Sequence, residues 1–208
     1  MDLRPPLEVV AGKLADACGR CGVDYALIGG LAAGAYGSGL RTKDLDACLA
    51  LSPGDWPRIE ALLRELAAEG FRVDLQAIER RAAHGRTILF LWIGLVRLDL
   101  MLNKPGSLWE QVLRYRRRVR IEGRELWLAS PEEVILTKLA AGREKDLEAA
   151  RKIAAIHFRA LDLRRMRSGA AALAANAPAL PERLESLIAE ARDLDRLASG
   201  PPAGEPAA

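Results

Sequence analysis

The sequence predicts an α/β (α+β) protein, with a small mixed β-sheet flanked by helices and then a helical C-terminal region. Two observations support this fold class. Up to residue 128, short apolar runs bounded by glycine, such as Tyr25–Ile28 before Gly29-Gly30, alternate with amphipathic stretches. After residue 129, nearly every segment has the periodicity of a helix. We therefore expect a core at 1–128, a helical region packed on it at 129–199, and a disordered Gly/Pro/Ala-rich tail at 200–208.

The first half divides into alternating helices and strands. An amphipathic helix covers 7–18, and Ser52-Pro53 supplies an N-cap and first-turn proline for a helix that continues to about Glu69. Shorter helices are expected at 31–36 and 107–117. Strands are expected at 25–28, 44–51 and 71–75, with hairpins at 86–102 and 119–128 that turn around single glycines.

Composition and charge exclude several classes of protein. The N-terminal residues have no basic segment followed by an apolar one, and no apolar run reaches the ~18–20 residues of a membrane span. We therefore expect a cytoplasmic protein without a membrane partner. Cys18 and Cys21 form a single Cys-x-x-Cys, and the two histidines are far apart in sequence, which favours reduced thiols over a zinc or redox site. The net charge of +3 permits a polyanionic partner without requiring one.

Asp44-Leu45-Asp46 is the first candidate for chemistry. On a strand, residues two apart project from the same face, ~6.6–6.8 Å apart along the backbone. Leu45 then points to the opposite face, into the core. Two ionised carboxylates this close repel each other unless a cation lies between them. A pair of Mg²⁺ ions would neutralise them and could clamp both oxygens of a phosphoryl displacement.

Gly29-Gly30 and the loop before Asp44 supply the groups that a phosphate needs. A glycine pair between a strand and a helix lets the backbone approach a ligand and leaves N–H groups free to face it. The loop adds further candidate nucleotide-binding residues, namely Ser38, Arg41, Thr42 and Lys43. Taken alone, Gly-Gly is more often a turn, and Asp-Leu-Asp can be the surface of an edge strand. It is the order and spacing of the glycine pair, the basic loop and the two aspartates that indicate a nucleotide site.

Gly29-Gly30, then thirteen residues, then Asp44-Leu45-Asp46 resembles the signature of the DNA polymerase β-type nucleotidyltransferase superfamily. The run Arg41–Asp46 is especially similar to the nucleotidyltransferase-like toxins of abortive-infection (AbiEii-type) toxin–antitoxin systems. The resemblance implies a mixed sheet flanked by helices, two Mg²⁺ ions, a nucleoside triphosphate substrate and a third carboxylate on a nearby strand.

Two residues compete for the role of third carboxylate. Asp99 lies in the second strand of the predicted hairpin, where apolar neighbours on both sides suggest burial. An unpaired aspartate would be costly there, and a metal would remove the cost. Asp74, within Val73–Leu75, is the alternative. The stronger strand pattern favours Asp99.

The helical half carries a second pair of candidates. Ser130 and Glu133 form a capping box, with Pro131 at the first helical position. Lys138 then falls within the apolar arc of its helix, and Asp146 lies near the centre of the apolar stripe of the next one. Such residues need each other or a polar cleft, although Lys138 could snorkel and Asp146 could cap its helix.

The segment 136–146, with its lysine and later aspartate, also resembles a downstream motif of the toxins. That resemblance implies that Lys138 contacts the nucleotide phosphates and that Asp146 supports the cleft or the attacking group. The most basic run, Arg114–Arg120, could bind an RNA backbone, but a charge run at a helix end is usually a solvated face.

The function predicted from these residues is Mg²⁺-dependent transfer of a nucleoside monophosphate from an NTP to an acceptor hydroxyl or phosphate. The acceptor could be RNA (a tRNA end, for example), a protein or a small molecule such as an antibiotic, and a toxin role would bring an antitoxin partner. A module of the same fold that binds nucleotides or a partner without turnover is the alternative from another class.

Overall fold

The computed structural model describes residues 4–199, so the tail expected at 200–208 lies outside the described residues. The elements follow in this order: α1 (Leu7–Arg20), β1 (Tyr25–Ile28), α2 (Gly29–Ala35), β2 (Leu45–Leu49), α3 (Trp56–Ala68), α4 (Leu75–Ala83), β3 (Ile88–Ile93), β4 (Val96–Leu102), α5 (Leu108–Arg114), β5 (Arg117–Ile121), β6 (Arg124–Leu128), α6 (Pro131–Ala141), α7 (Glu144–His157), a 3₁₀ turn (Phe158–Ala160), α8 (Leu163–Leu173) and α9 (Leu180–Ser199). None of the described helices has an apolar stretch long enough to cross a bilayer.

The strands form one mixed sheet in the order β3-β4-β2-β1-β6-β5. Both predicted hairpins, β3–β4 and β5–β6, are antiparallel, as is the β1–β2 pair. The β2–β4 and β1–β6 pairs are parallel. The predicted fold class is therefore confirmed, and every strand after β2 joins the sheet through one of the two hairpins.

Side chains of β2 alternate between an apolar face and a polar face of the sheet. Leu45, Ala47 and Leu49 are buried on one face, whereas Asp46 projects from the other. The helix α5 contacts β1 and β2, and its residue Trp109 lines the same cavity as Asp46. One sheet face thus supplies core, and the other supplies the floor of a cleft.

The strand predicted at 71–75 is wrong. Only Arg72 pairs with a strand, through a single antiparallel bridge to Trp92, and α4 begins at Leu75. The carboxylate of Asp74 accepts a hydrogen bond from the Ala77 N–H at 2.9 Å, so Asp74 caps a helix. The apolar residues of this segment belong to a helix start rather than to a sheet.

The start of α3 also differs from the prediction. Ser52-Pro53 lies in a turn, closed by a hydrogen bond from the Asp55 N–H to the Ser52 carbonyl. Asp55 takes the N-cap position, and Pro57 occupies the first turn of the helix. The N-cap and proline signals therefore occur twice within six residues, and the second pair is used.

The capping box predicted at Ser130 does not form, although Pro131 does occupy the first helical position. The Ser130 hydroxyl lies within hydrogen-bond reach of the Glu132 and Glu133 carboxylates instead of capping a backbone N–H. Arg165 on α8 reaches both carboxylates, with an Nη2–Oε2 distance of 2.8 Å to Glu132 and an Nε–Oε1 distance of 3.4 Å to Glu133. The start of α6 is therefore tied to α8 by buried charges.

We expect Arg165→Met to lower the free energy of unfolding by about 3–5 kcal/mol, because it leaves two buried glutamates without their main cation. Arg167→Met is the matched control on the same helix, since Arg167 pairs with Glu185 in an exposed position. Chemical denaturation measures both. Equal losses would show that the buried network does not stabilise the joint between α6 and α8.

Candidate functional site

The sheet register brings two of the predicted carboxylates side by side. Asp46 on β2 lies directly opposite Asp99 on β4, on the same face of two strands that are ~4.7–4.9 Å apart. Asp44 precedes β2 by one residue and lies two residues from Asp46. Asp74 caps α4 and takes no part in this cluster. Of the two candidates for third carboxylate, Asp99 is the one adjacent to Asp46.

Arg97 forms ion pairs with two of these three carboxylates. Its guanidinium contacts both oxygens of Asp99, with Nε–Oδ1 and Nη2–Oδ2 distances of 2.7 and 3.0 Å. It also lies 3.4 Å from Oδ2 of Asp44. The sequence interpretation missed Arg97, although a residue two positions before Asp99 on the same strand must face the same way.

Asp46 is the carboxylate that lacks a cation. Within residues 4–199 no lysine or arginine forms an ion pair with it, whereas Asp44 and Asp99 share Arg97. Burial raises the pKa of Asp46 to about 6, the charges of Asp99 and Asp44 add to this effect, and the cations of Lys138 and Arg97 oppose it. The cleft therefore contains a partly desolvated carboxylate that Lys138 and Arg97 stabilise from a distance but do not pair with directly.

The Gly29-Gly30 pair makes room for the carboxylate strand and for the loop before it. Gly29 has a φ of +65°, and a Cβ there would overlap the Asp46 carboxylate. A Cβ on Gly30 would overlap the side chain of Thr42. The Thr42 hydroxyl in turn donates to the Asp44 carbonyl at 2.9 Å. The glycines and the acidic motif are thus coupled by direct contact, which explains why they occur together.

Lys138 and Asp146 meet across α6 and α7. The Lys138 Nζ lies 2.6 Å from Oδ1 of Asp146, and Arg143 Nε lies 2.5 Å from Oδ2. Asp146 is fully buried, and the N-cap position of α7 belongs to Arg143. Burial by itself would raise the pKa of Asp146, but the hydrogen bonds from Lys138 and Arg143 outweigh it and hold that pKa below its usual value.

These groups surround a cavity of about 300 Å³. Asp44 and Asp46 lie on one side of it, and cationic side chains from the loop, from α6 and from the start of α7 lie on the others. The cationic lining residues are Arg41, Arg97, Lys138, Arg143 and Lys145. A cavity with acidic floor and basic walls suits a polyanion that arrives with a metal cation.

The predicted loop residues divide into two groups. Arg41 and Thr42 line the cavity together with Gly29 and Gly30. Ser38 is buried, and its hydroxyl accepts a hydrogen bond from the Leu40 N–H, so it shapes the loop. Lys43 is exposed and is not part of the lining. Arg143 and Lys145 do line the cavity, although the sequence interpretation did not single them out.

The donor set limits how a metal could be held. No group of three or more His, Cys, Asp or Glu side chains within residues 4–199 is arranged to hold a metal by itself. Arg97 occupies Asp99, which leaves Asp44 and Asp46 as the carboxylates open to the cavity. Mg²⁺ is commonly held by one or two carboxylates together with substrate phosphates. The residues present therefore fit a metal shared with a nucleotide.

Two solved structures resemble this arrangement of sheet and helices. The antibiotic-resistance factor ANT(2″)-Ia, in its solution structure, superposes with a TM-score of 0.54 at 16% sequence identity, over 86% of this chain and 98% of that one. A nucleotidyltransferase-like protein from Paracoccidioides brasiliensis superposes with a TM-score of 0.51 at 21% identity, over 86% of this chain and 92% of that one. The chain has a nucleotidyltransferase fold. No family model and no curated protein sequence matches it.

In this nucleotidyltransferase fold we expect Asp146→Asn to lower the free energy of unfolding by roughly 3 kcal/mol at neutral pH, because Lys138 loses its partner in a largely buried position. The folded-state pKa of Asp146 lies below the usual value of about 3.9. The stabilisation is therefore present above that value and is lost as the pH falls through the folded pKa.

Denaturation of both proteins from about pH 2 to about pH 7 measures this difference. Glu148→Gln is the control on the same helix, because Glu148 pairs with Lys152 in an exposed position and should change little. A difference between wild type and Asp146→Asn that persists unchanged in acid would contradict a role for the ionised carboxylate.

Proposed function

We propose that this chain is a cytoplasmic, Mg²⁺-dependent nucleotidyltransferase that moves a nucleoside monophosphate from an NTP to an acceptor. The observation that carries the proposal is the carboxylate of Asp46, which has no direct ion pair among the described residues and lies half-buried beside Asp44 and Asp99 in a cavity lined by cationic side chains. A protein gains no stability from such a charge, so its position is explained by a cation that arrives with the substrate.

Asp44 and Asp46 would hold the Mg²⁺ ions, two in the fully loaded site, together with phosphate oxygens of the nucleotide. When bound, the metal supplies positive charge that stabilises the charge developing on the transferred phosphoryl group. The raised pKa of Asp46 reflects how poorly its ionised form is solvated in the cleft, and a nearby divalent cation would oppose that shift.

Lys138 and the Gly29-Gly30 backbone would orient the triphosphate. Lys138 is held in the cavity wall by the buried Asp146, so its ammonium is positioned before the nucleotide binds. Asp146 is therefore a positioning residue. Arg41, Arg143 and Lys145 add charge around the same cavity.

The transfer step needs one base. The acceptor's hydroxyl oxygen attacks the α-phosphorus, a new phosphorus–oxygen bond forms, the bond to the bridging oxygen breaks, and pyrophosphate leaves. The hydroxyl proton would pass to a carboxylate oxygen of Asp99, which requires Arg97 to release one of the two oxygens that it binds. Burial raises the pKa of Asp99, while the hydrogen bond and charge of Arg97 oppose the rise, so the group is both positioned and moderately basic.

The motifs of residues 41–46 and 136–146 favour a toxin or defence role, which would require a partner antitoxin to keep the enzyme silent. The Arg97–Asp99 contact favours the second candidate, a module that binds nucleotide without turnover, because a carboxylate held by arginine is a weaker base. ANT(2″)-Ia is an antibiotic-resistance factor, so an antibiotic acceptor also belongs in the test.

We expect purified protein with Mg²⁺ and a labelled nucleoside triphosphate to label one acceptor class among total RNA, lysate protein and antibiotics. The Asp44→Asn/Asp46→Asn double variant and Asp99→Asn should each lower the rate by about a hundredfold or more, because each removes charge or a base needed in the transition state. Gel autoradiography and thin-layer chromatography detect the product.

Asp55→Asn is the matched control, since it makes the same chemical change at the N-cap position of α3, outside the cavity lining, where Asp55 makes no capping hydrogen bond and pairs with the exposed Arg58. Transfer that survives in the double variant would contradict the assignment of the site. Metal-dependent nucleotide binding without transfer to any acceptor would favour the non-catalytic module.

A further inference from the structure

The two edge strands of the sheet differ in how their outer backbone groups are used. At one edge is β3, where the Trp92 carbonyl accepts the Arg72 N–H at 2.7 Å. At the other edge is β5, which pairs with β6 and with no other strand among residues 4–199. An edge with unpaired N–H and C=O groups is a template for a further strand. The outer side of β5 is therefore open to one.

The turn between β5 and β6 determines which groups of β5 face outward. A two-residue turn at 122–123, with φ angles of +46° and +77°, is flanked by the Ile121–Arg124 pair. In such a hairpin the flanking residues form a hydrogen-bonded pair, and this kind of pair then recurs at every second residue. The N–H and C=O groups of Arg118 and Arg120 consequently point away from β6, and they have no hydrogen-bond partner among residues 4–199.

A cavity of about 620 Å³ lies beside this open edge. Its volume falls within the ~300–1,000 Å³ range of ligand pockets. The apolar side chains that line it come from α1, α2, the following loop and β5, namely Leu7, Leu31, Leu40, Val119 and Ile121. Residues of an added strand that share a face with Val119 and Ile121 would point toward the cavity.

The opposite face of β5 is cationic. The side chains of Arg118 and Arg120 are 64% and 72% exposed, and each lies 3.7 Å from the carboxylate of Glu125. Two cations thus share one anion, and the edge keeps a positive charge. Pairing of two β5 strands from two copies would place arginines beside arginines, which is unfavourable. An acidic strand would complement the same charges.

The aromatic residue of this hairpin is not free to stack on a nucleic-acid base. The guanidinium Cζ atoms of Arg116 and Arg118 lie 4.7 and 4.9 Å from the centroid of the Trp127 ring. Arg116 is also held by Asp24, at a distance of 2.8 Å. Single-stranded nucleic acids are bound by aromatic side chains that stack on successive bases. The basic run therefore favours an acidic peptide over RNA.

We propose that β5 binds an extended acidic segment of a partner protein, which adds to the six-stranded sheet as a further strand. The outward backbone groups of Arg118 and Arg120 bond to the segment. Its apolar side chains, at every second position, enter the cavity, and the acidic side chains between them contact the two guanidinium groups.

This interaction does not depend on nucleotidyl transfer, but it would take place next to the proposed nucleotide site. Gly30, Arg41 and Thr42 line both the cavity beside β5 and the cavity that contains Asp46. A bound segment would therefore contact the loop that contributes Arg41 to the nucleotide cavity.

The test begins with a fluorescein-labelled octapeptide of alternating glutamate and valine, titrated with the full-length protein and followed by fluorescence anisotropy. This probe presents valines on one face and glutamates on the other. An octapeptide of alternating lysine and valine is the matched control, and an oligonucleotide of eight uridines represents RNA. We expect the glutamate peptide to bind more tightly than both.

Arg118→Gln/Arg120→Gln should weaken binding of the glutamate peptide by about 2- to 30-fold, because two exposed ion pairs are lost. Arg58→Gln/Arg64→Gln is the matched control, since it makes the same change in net charge at two exposed arginines of α3. Its affinity for the peptide should equal that of the wild type.

The backbone contacts are tested separately from the charges. Arg120→Pro removes an N–H that β6 does not use, so it should weaken binding by a further factor of about 2 to 13 beyond Arg120→Gln, as expected for one lost hydrogen bond. Hydrogen exchange followed by NMR should show that the N–H groups of Arg118 and Arg120 become protected when the peptide binds. Thermal melts verify that each variant folds.

Equal affinities for the glutamate and lysine peptides would overturn the proposal, as would equal effects of the two double variants. Unchanged exchange of the Arg118 and Arg120 N–H groups in the complex would exclude strand addition. Preferential binding of the oligonucleotide, weakened by Arg118→Gln/Arg120→Gln, would assign the edge to RNA and overturn the proposal as well.

Discussion

The structure depends on how the half-buried negative charge of Asp46 is accommodated. Asp46 lies on a central strand, next to two other carboxylates, and no cation of the described chain pairs with it. Burial and like charge raise its pKa to about 6, which means that the fold is less stable for keeping it ionised. Gly29 can only be glycine because the Asp46 carboxylate fills the space of a Cβ. A charge retained under these constraints is expected where a cationic ligand binds.

Other parts of the molecule place cationic side chains around Asp46. Arg97 is shared by Asp44 and Asp99, so one positive charge partly offsets these two carboxylates. On the far wall, Asp146 holds Lys138 in place between two helices. Those helices are anchored in turn, since Arg165 ties the buried acids at the start of α6 to α8. The helical region therefore does more than cover the sheet, because it positions the cations of the proposed nucleotide site.

Sequence patterns were sufficient where short-range geometry decides the outcome. Glycine-centred hairpins predicted β3–β4 and β5–β6 correctly, and strand alternation predicted that Asp46 faces away from Leu45. Asp44 lies one residue before β2 but lines the same cavity as Asp46. The failures arose where two local signals competed. At 71–75 a strand-like apolar run lost to the helix cap of Asp74, and Ser130 bonded to nearby carboxylates rather than to a backbone N–H. The network of Arg97 and the open edge of β5 depend on strand order, which no local pattern reveals.

The central claim is that Asp46 lowers stability in the free protein and is compensated by metal and nucleotide. Thermal and chemical denaturation of wild type and Asp46→Asn, with and without Mg²⁺ and a non-hydrolysable nucleoside triphosphate, tests it directly. We expect the free Asp46→Asn protein to be more stable than wild type by about 1–3 kcal/mol, since a partly desolvated charge without a direct ion pair is removed. The ligand pair should stabilise wild type and leave the variant unchanged. A variant that is less stable than wild type, yet is stabilised equally by Mg²⁺ and nucleotide, would contradict this account.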